Sequence, residues 1–259
     1  MRLLRLLFIV GLLNFSLKIG AEPLRVLIDP GHGGIDRGTT KESIFESDIN
    51  LKISQQLMLM LKDDKRFKVK LTRQDNSTVS LTQRARLAAP RNADLLVSIH
   101  VNSSPEHRAR GAEFYFQNQL APDEESMYLA HQESSEGATG EVETYPLIQK
   151  LRSSPEVKAI VNDLLDSHRV LMSSQLSKSL KQNWTGYKKS KAQSRIRQAP
   201  FYVLNQARIP AALVEVGFLT NSEDYKDLTD STALKKMAQN IYSALIEFKE
   251  SIDKNKSRH

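Results

Sequence analysis

The chain has 259 residues, 40% of them hydrophobic, enough for one globular domain with a substantial core. It contains no cysteine, which excludes disulfides, thiolate catalysis and Cys-ligated zinc, so any bound metal must be held by histidines and carboxylates. The formal charge is +7, but no basic helix or aromatic-interleaved motif accompanies it, and no nucleic-acid partner is expected.

In chain order, Arg2 and Arg5 precede an apolar run from Leu6 to Leu13, followed by Lys18-Ile19-Gly20-Ala21. Charge, a short apolar stretch and then small residues form the pattern of an export signal, here residues 1–21 with cleavage after Ala21. The apolar run is too short for a membrane span, and none is expected in the remaining chain, 22–259. Arg25 to Asp29 reads as a buried strand stopped by Pro30-Gly31. From Asp48 to Leu61, Ile49, Ile53, Leu57 and Leu61 recur at helical spacing, with Ser47 or Asp48 as the N-cap. Lys68–Thr72 reads as a strand, Leu81–Ala89 as a helix, and Asp94–His100 and Ala112–Phe116 as further strands. Phe201–Leu204 and Ala211–Val216 complete the strands; a last helix covers Thr232–Phe248, and the basic tail after Lys249 is expected to fray.

Two blocks break this alternation. Gln117–Gln149 holds seven acidic residues and no Lys or Arg, and a long helix from Pro155 to Leu180 follows it; 117–182 thus reads as an acidic and helical insertion after the fourth strand. Lys181–Gln198 then carries six basic residues and no acid, which reads as solvated surface. Strands alternating with helices predict an α/β domain with a mostly parallel or mixed sheet flanked by helices. Ligands of such sheets bind at the carboxyl ends of strands, and His32, His100 and Glu215 all fall there.

The chemistry-bearing residues are few. In Asp29-Pro30-Gly31-His32-Gly33-Gly34, glycines let the chain turn and leave the imidazole of His32 accessible, with Asp29 or Asp36 available to fix its tautomer. His100 ends an apolar strand, and Glu46 lies where a helix dipole favours a carboxylate, with Glu42 its local competitor. Glu215 lies in an apolar run where an unpartnered carboxylate would be expensive.

Taken together, DPGHGG (29–34), ESDINL (46–51), ADLLVSIHVNSS (93–104), GAEFYF (111–116) and VEVGFLTN (214–221) resemble, in order, the blocks of the amidase type 3 family of N-acetylmuramoyl-L-alanine amidases. The resemblance implies a six-stranded mixed sheet and one zinc ion held by His32, Glu46 and His100 with a position left open. It implies Glu215 as catalytic base and then acid, and hydrolysis of the amide joining N-acetylmuramic acid to L-alanine in peptidoglycan. Division-associated members carry a helical segment after the strand matching GAEFYF, and YLAHQESS (128–135) is similar to its start. That likeness implies an autoinhibitory segment with Glu133 as the blocking ligand, Glu136, Glu141 and Glu143 as rivals, and a divisome-associated activator protein to remove it. The implied compartment is the periplasm. A wall-binding or regulatory module without catalysis, and another zinc peptidase, are the alternatives.

Overall fold

A computed structural model describes residues 22–118, 120–134, 154–185 and 193–257. The leader (1–21) and the rival carboxylates Glu136, Glu141 and Glu143 lie outside the described residues.

In chain order, β1 is Leu24–Pro30, β2 Thr40–Lys41, β3 Ile44–Phe45, α1 Glu46–Lys62, β4 Phe67–Leu71, α2 Leu81–Leu87, β5 Leu95–Asn102 and β6 Ala112–Phe116. There follow α3 Glu124–Ser134, α4 Pro155–Asn183, β7 Ser194–Gln198, α5 Tyr202–Gln206, β8 Ala211–Phe218, α6 Ser222–Leu228 and α7 Ser231–Lys256. Six strands form one sheet in the order β4-β1-β5-β8-β6-β7. The first four run parallel, β6 is antiparallel to β8, and β7 is parallel to β6, so the sheet is mixed as expected. Helical material after β6, in α3 and α4, falls within the predicted insertion.

Four local expectations are corrected. Phe201–Leu204 is not a strand: Phe201 precedes α5, and its aromatic side chain packs with Leu204 under the sheet. The sixth strand is β7, drawn from the basic block expected to be solvated surface. Helix α1 starts at Glu46 after an extended Phe45 that makes no side-chain cap, so neither Ser47 nor Asp48 caps it; Asp48 lies in the first turn, where the helix dipole favours it. The tail does not fray after Lys249, because α7 continues to Lys256 and the buried Lys249 ammonium donates to Asp253 at 2.6 and 2.7 Å.

The two faces of the sheet differ in kind. Along β5, side chains alternate: Leu95, Val97, Ile99 and Val101 enter one core, while Leu96, Ser98, His100 and Asn102 face the opposite way. The first face is covered by α1, α4 and α7, whose Ile53, Leu57, Leu180, Ile241 and Leu245 are wholly buried. Each such side chain contributes about 1.5–3 kcal/mol on leaving water. The second face is covered by α2, α3 and α5, and carries a smaller cluster around Leu27, Leu96, Tyr115, Phe201 and Leu213. Among the described residues no helix is long and apolar enough to cross a membrane.

Candidate metal centre and active site

The site is built where β1 turns out of the sheet. His32 has a φ of 59°, in the left-handed region that a non-glycine residue rarely adopts, so the turn must be held from outside. Two buried arginines hold it. Arg84 donates to the Pro30 and His32 carbonyls at 2.7 Å each and to Asp29 at 2.5 Å. Arg73 donates to the Pro30, Gly31 and Ser47 carbonyls at 3.0, 2.8 and 2.8 Å, tying the turn to the start of α1. Arg84 is itself fixed by α2, whose N-terminus is closed by a Ser80–Gln83 capping box. Neither arginine was singled out from the sequence, since an arginine in a polar stretch carries no mark of burial.

Asp29 belongs to this scaffold and not to the imidazole of His32. Its oxygens accept from Arg84, from Thr72 at 2.6 Å and from Ser98 at 2.8 Å. Burial works against its charge, but the Arg84 guanidinium and the Thr72 hydroxyl outweigh it and hold the carboxyl below its ordinary range. The partner of His32 is Asp36, with Nδ1 to Oδ2 at 2.6 Å, which turns Nε2 of the ring inward.

Three ligating atoms converge there. Those of His32, Glu46 and His100 all lie within 4.8 Å of one another. Glu46 Oε1 is 3.2 Å from both His32 Nε2 and His100 Nδ1, and the two rings meet edge to face at 5.0 Å. The Glu46 carboxylate is fixed by backbone N–H groups of Thr39 and Val101, each at 2.9 Å, and by the Asn50 amide at 3.1 Å. Two glycines make room: a Cβ at Gly31 would lie 2.4 Å from His100 Cε1, and one at Gly38 would lie 2.5 Å from Glu46 Oε2. Glu42, the competing carboxylate, instead accepts from the Tyr225 hydroxyl at 2.9 Å.

A fourth group joins them from α3. Glu133 Oε2 lies 3.2 Å from His32 Nε2 and 3.3 Å from His100 Nδ1. It closes one wall of a cavity of about 390 Å³ that His32, Glu46, His100, Leu129 and Tyr202 also line. Burial opposes charge on both imidazoles, yet the surrounding carboxylates dominate. Glu46, Asp36 and Glu133 hold His32 well above its ordinary value, and Glu133 and Glu46 push His100 up to about 10. Burial likewise opposes the Glu46 charge, and the two imidazoles hold its carboxyl well below the usual range. An environment so favourable to positive charge is equally one for a cation.

The residues also fit a metal by their unmet polar groups. His32 Nε2 is buried and makes no hydrogen bond despite the nearby carboxylates, so it is an unsatisfied nitrogen aimed at the point of convergence. Two imidazoles and a carboxylate are the donor set of a hydrolytic zinc site.

Glu215 lies on β8, in register with His100 on β5 and with Glu113 on β6. It is 1% exposed and neither carboxylate oxygen has a hydrogen-bond partner. Burial, reinforced by Glu46, Glu133 and Glu113, raises its pKa well above the carboxylate range against the pull of His100. Glu113 is buried as well but fully engaged: Tyr115 donates to it at 2.8 Å, Asn102 at 3.2 Å, and Arg197 Nε stands 2.8 Å away. Glu113 and Arg197 are further site residues not among the sequence candidates; the signal available for them was a glutamate inside the otherwise apolar GAEFYF strand.

The family model for N-acetylmuramoyl-L-alanine amidase (Amidase_3) matches residues 26–247. The chain is 31% identical over 250 residues to the probable N-acetylmuramoyl-L-alanine amidase AmiB of Haemophilus influenzae, covering 94% of this chain and 56% of that protein. It is 27% identical over 231 residues to the amidase AmiC of Escherichia coli, covering 88% of this chain and 54% of that protein. The chain thus spans little more than half the length of these two relatives. The crystal structure of an N-acetylmuramoyl-L-alanine amidase from Clostridium difficile is similar with a TM-score of 0.65 and 25% identity, over 89% of this chain and 99% of the other. With this sheet, this donor set and a family match over most of its length, the chain belongs to the N-acetylmuramoyl-L-alanine amidases of the amidase type 3 family.

Proposed function

We propose that the protein is a zinc-dependent peptidoglycan amidase that cleaves the bond between N-acetylmuramic acid and L-alanine, and that it works in the periplasm in wall remodelling and daughter-cell separation. The observation that carries this reading is the convergence of His32, Glu46 and His100 within 4.8 Å beside a buried carboxyl with no partner. Zinc bound by these three side chains would supply Lewis acidity and a water acidified towards neutral pH.

The rest is the work of the chain. Asp36 fixes the His32 tautomer, and the Thr39 and Val101 amides orient Glu46. Glu215 takes a proton from the attacking water and returns it to the leaving amine. A carboxyl whose pKa is raised by burial is suited to both halves of that cycle.

In this reading α3 is an autoinhibitory helix. Glu133 stands close to both imidazoles, where it would fill the position that water needs. An activator that binds the open arrangement would shift the population towards activity. Val157, Ile160 and Leu164 of α4 form an exposed apolar stripe of the kind that protein partners cover. Export is supported by the leader pattern of residues 1–21.

The test is mass spectrometry of purified sacculi digested by the zinc-loaded protein carrying Glu133→Gln. Release of intact stem peptides beginning with L-alanine, from uncut glycan, is the expected product. Cleavage confined to bonds within the peptide would instead identify a zinc peptidase.

A further inference from the structure

We propose that Arg195 and Arg197 on β7 form a subsite for a carboxylate on the peptide side of the scissile bond, and that the acidic start of α3 occupies it as a substrate mimic. The proposal rests on the amidase reading for the identity of the peptide.

Strand register lines these groups up. His100 pairs with Glu215, Glu215 with Glu113, and Glu113 with Arg195, so four polar residues form one row across one face of the sheet. The row starts at the metal centre and ends at an edge strand. Arg195 is 60% exposed on its side chain, and its Nη1 is 3.9 Å from Glu113 Oε1. Glu113 is already engaged by Arg197, Tyr115 and Asn102, so it neutralises Arg195 only weakly and the guanidinium presents its charge outward.

Arg197 already holds carboxylates. Its inner nitrogen faces Glu113, while its outer nitrogens meet Asp123 at 3.2 Å and Glu125 at 2.8 Å. Two separate carboxylates, one on each outer nitrogen, show that this end of the row takes anions. Both acids belong to the start of α3, whose far end brings Glu133 to the imidazoles. From Glu125 to Glu133 a helix rises about 12 Å. From β5 to β7 the sheet steps across three strand spacings, about 14 Å. The helix therefore spans the row with an anion at each end: one at the metal centre, one at the arginines.

These spacings define the ligand. Arg195 is two strand spacings, about 10 Å, from Glu215, and an extended peptide advances about 3.3 Å per residue. The arginines would thus meet a carboxylate on the second or third residue beyond the scissile amide. Strand β7, within the basic block that read as solvated surface, acquires a role as the peptide-side wall of the active site.

The test uses the full chain carrying Glu133→Gln, loaded with zinc, and two muramoyl peptides that differ only in whether the carboxyls of residues two and three are free or amidated. The free acid should have a KM lower by about tenfold at similar kcat, the effect of one charge-assisted contact. Arg195→Gln should abolish that preference, and Glu125→Gln, which removes a carboxylate competing for Arg197 while leaving both arginines in place, should strengthen it. Calorimetric binding of the same peptides to the Glu133→Gln, Glu215→Gln chain gives a readout independent of turnover. Cleavage of both peptides with equal KM, or a preference unchanged by Arg195→Gln, overturns the subsite and leaves the amidase reading standing. Tighter binding of the free acid without cleavage of either peptide by the Glu133→Gln chain would uphold the subsite and count against the amidase.

Discussion

The two faces of the sheet divide the labour of this protein. One is aliphatic and continuous: α1, α4 and α7 press Ile53, Leu57, Leu180 and Leu245 onto the Val and Ile side chains of β1, β5 and β8. The other alternates a small apolar cluster with buried charge, in Asp29, His100, Glu113 and Glu215. Strand periodicity makes this possible, because neighbouring residues of β5 and β8 serve opposite faces. The first face stabilises the fold, and the second uses some of that stability to hold buried charges in place.

The largest effect is expected from Glu215→Ala. Hydrolysis of sacculi should fall by on the order of 10³-fold, the usual worth of a positioned acid and base, with zinc retained. Thermal stability of the same variant should hold or rise, because the lost carboxyl is buried without a partner. Retained activity would remove Glu215 from the mechanism. On the opposite face, Leu57→Ala should cost about 2–5 kcal/mol in denaturant unfolding and leave zinc affinity unchanged under folding conditions. A variant that lost metal before it lost stability would erase the division between the faces.

A smaller effect tests α3, which packs on the charged face. Glu133→Gln should raise basal activity by about tenfold, within the range of ordinary coupling energies, while the melting temperature changes little. An activity no higher than that of the parent chain would rule out the helix as an inhibitor. The smallest effect lies away from both faces. Asp64 accepts from Arg66 at 2.6 Å and from Tyr242 at 2.9 Å; the Arg66 hydrogen bonds dominate and hold its pKa at about 2, below an ordinary value of 3.8. Its folded pKa is depressed, so its contribution is present above about pH 4 and is lost as pH falls through 2. Asp64→Asn should therefore flatten the acid limb of stability between pH 4 and 2, by under about 1 kcal/mol because the pair is solvent-screened. An unchanged acid limb would deny that pair any role.

Much of the first face was legible in the sequence because burial there follows period: Ile49, Ile53, Leu57 and Leu61 announce a helix, and RVLID a strand. His32, Glu46 and His100 stood out individually only as a turn histidine, a strand-end histidine and a helix-start carboxylate; the family resemblance joined them into one set, and it is the fold that brings their ligating atoms within 4.8 Å. Phe201–Leu204 misled because a short aromatic and β-branched run suits a strand and a buried helical turn equally. β7 was hidden because Arg195 and Arg197 read as a charge run, although Ile196 between them carried the alternation of a strand. The arginines that brace the site were invisible for another reason: their partners are backbone carbonyls and distant acids, which only the fold brings near.

The activity proposed here requires His32, Glu46 and His100 to share one divalent cation. The most direct measurement is metal content by mass spectrometry of the purified chain beside His32→Ala and His100→Ala, each confirmed folded by circular dichroism. About one zinc per chain is expected in the parent, with a near-complete loss in both variants. Zinc bound equally by all three proteins, or a parent fully active after exhaustive chelation, would contradict the shared site.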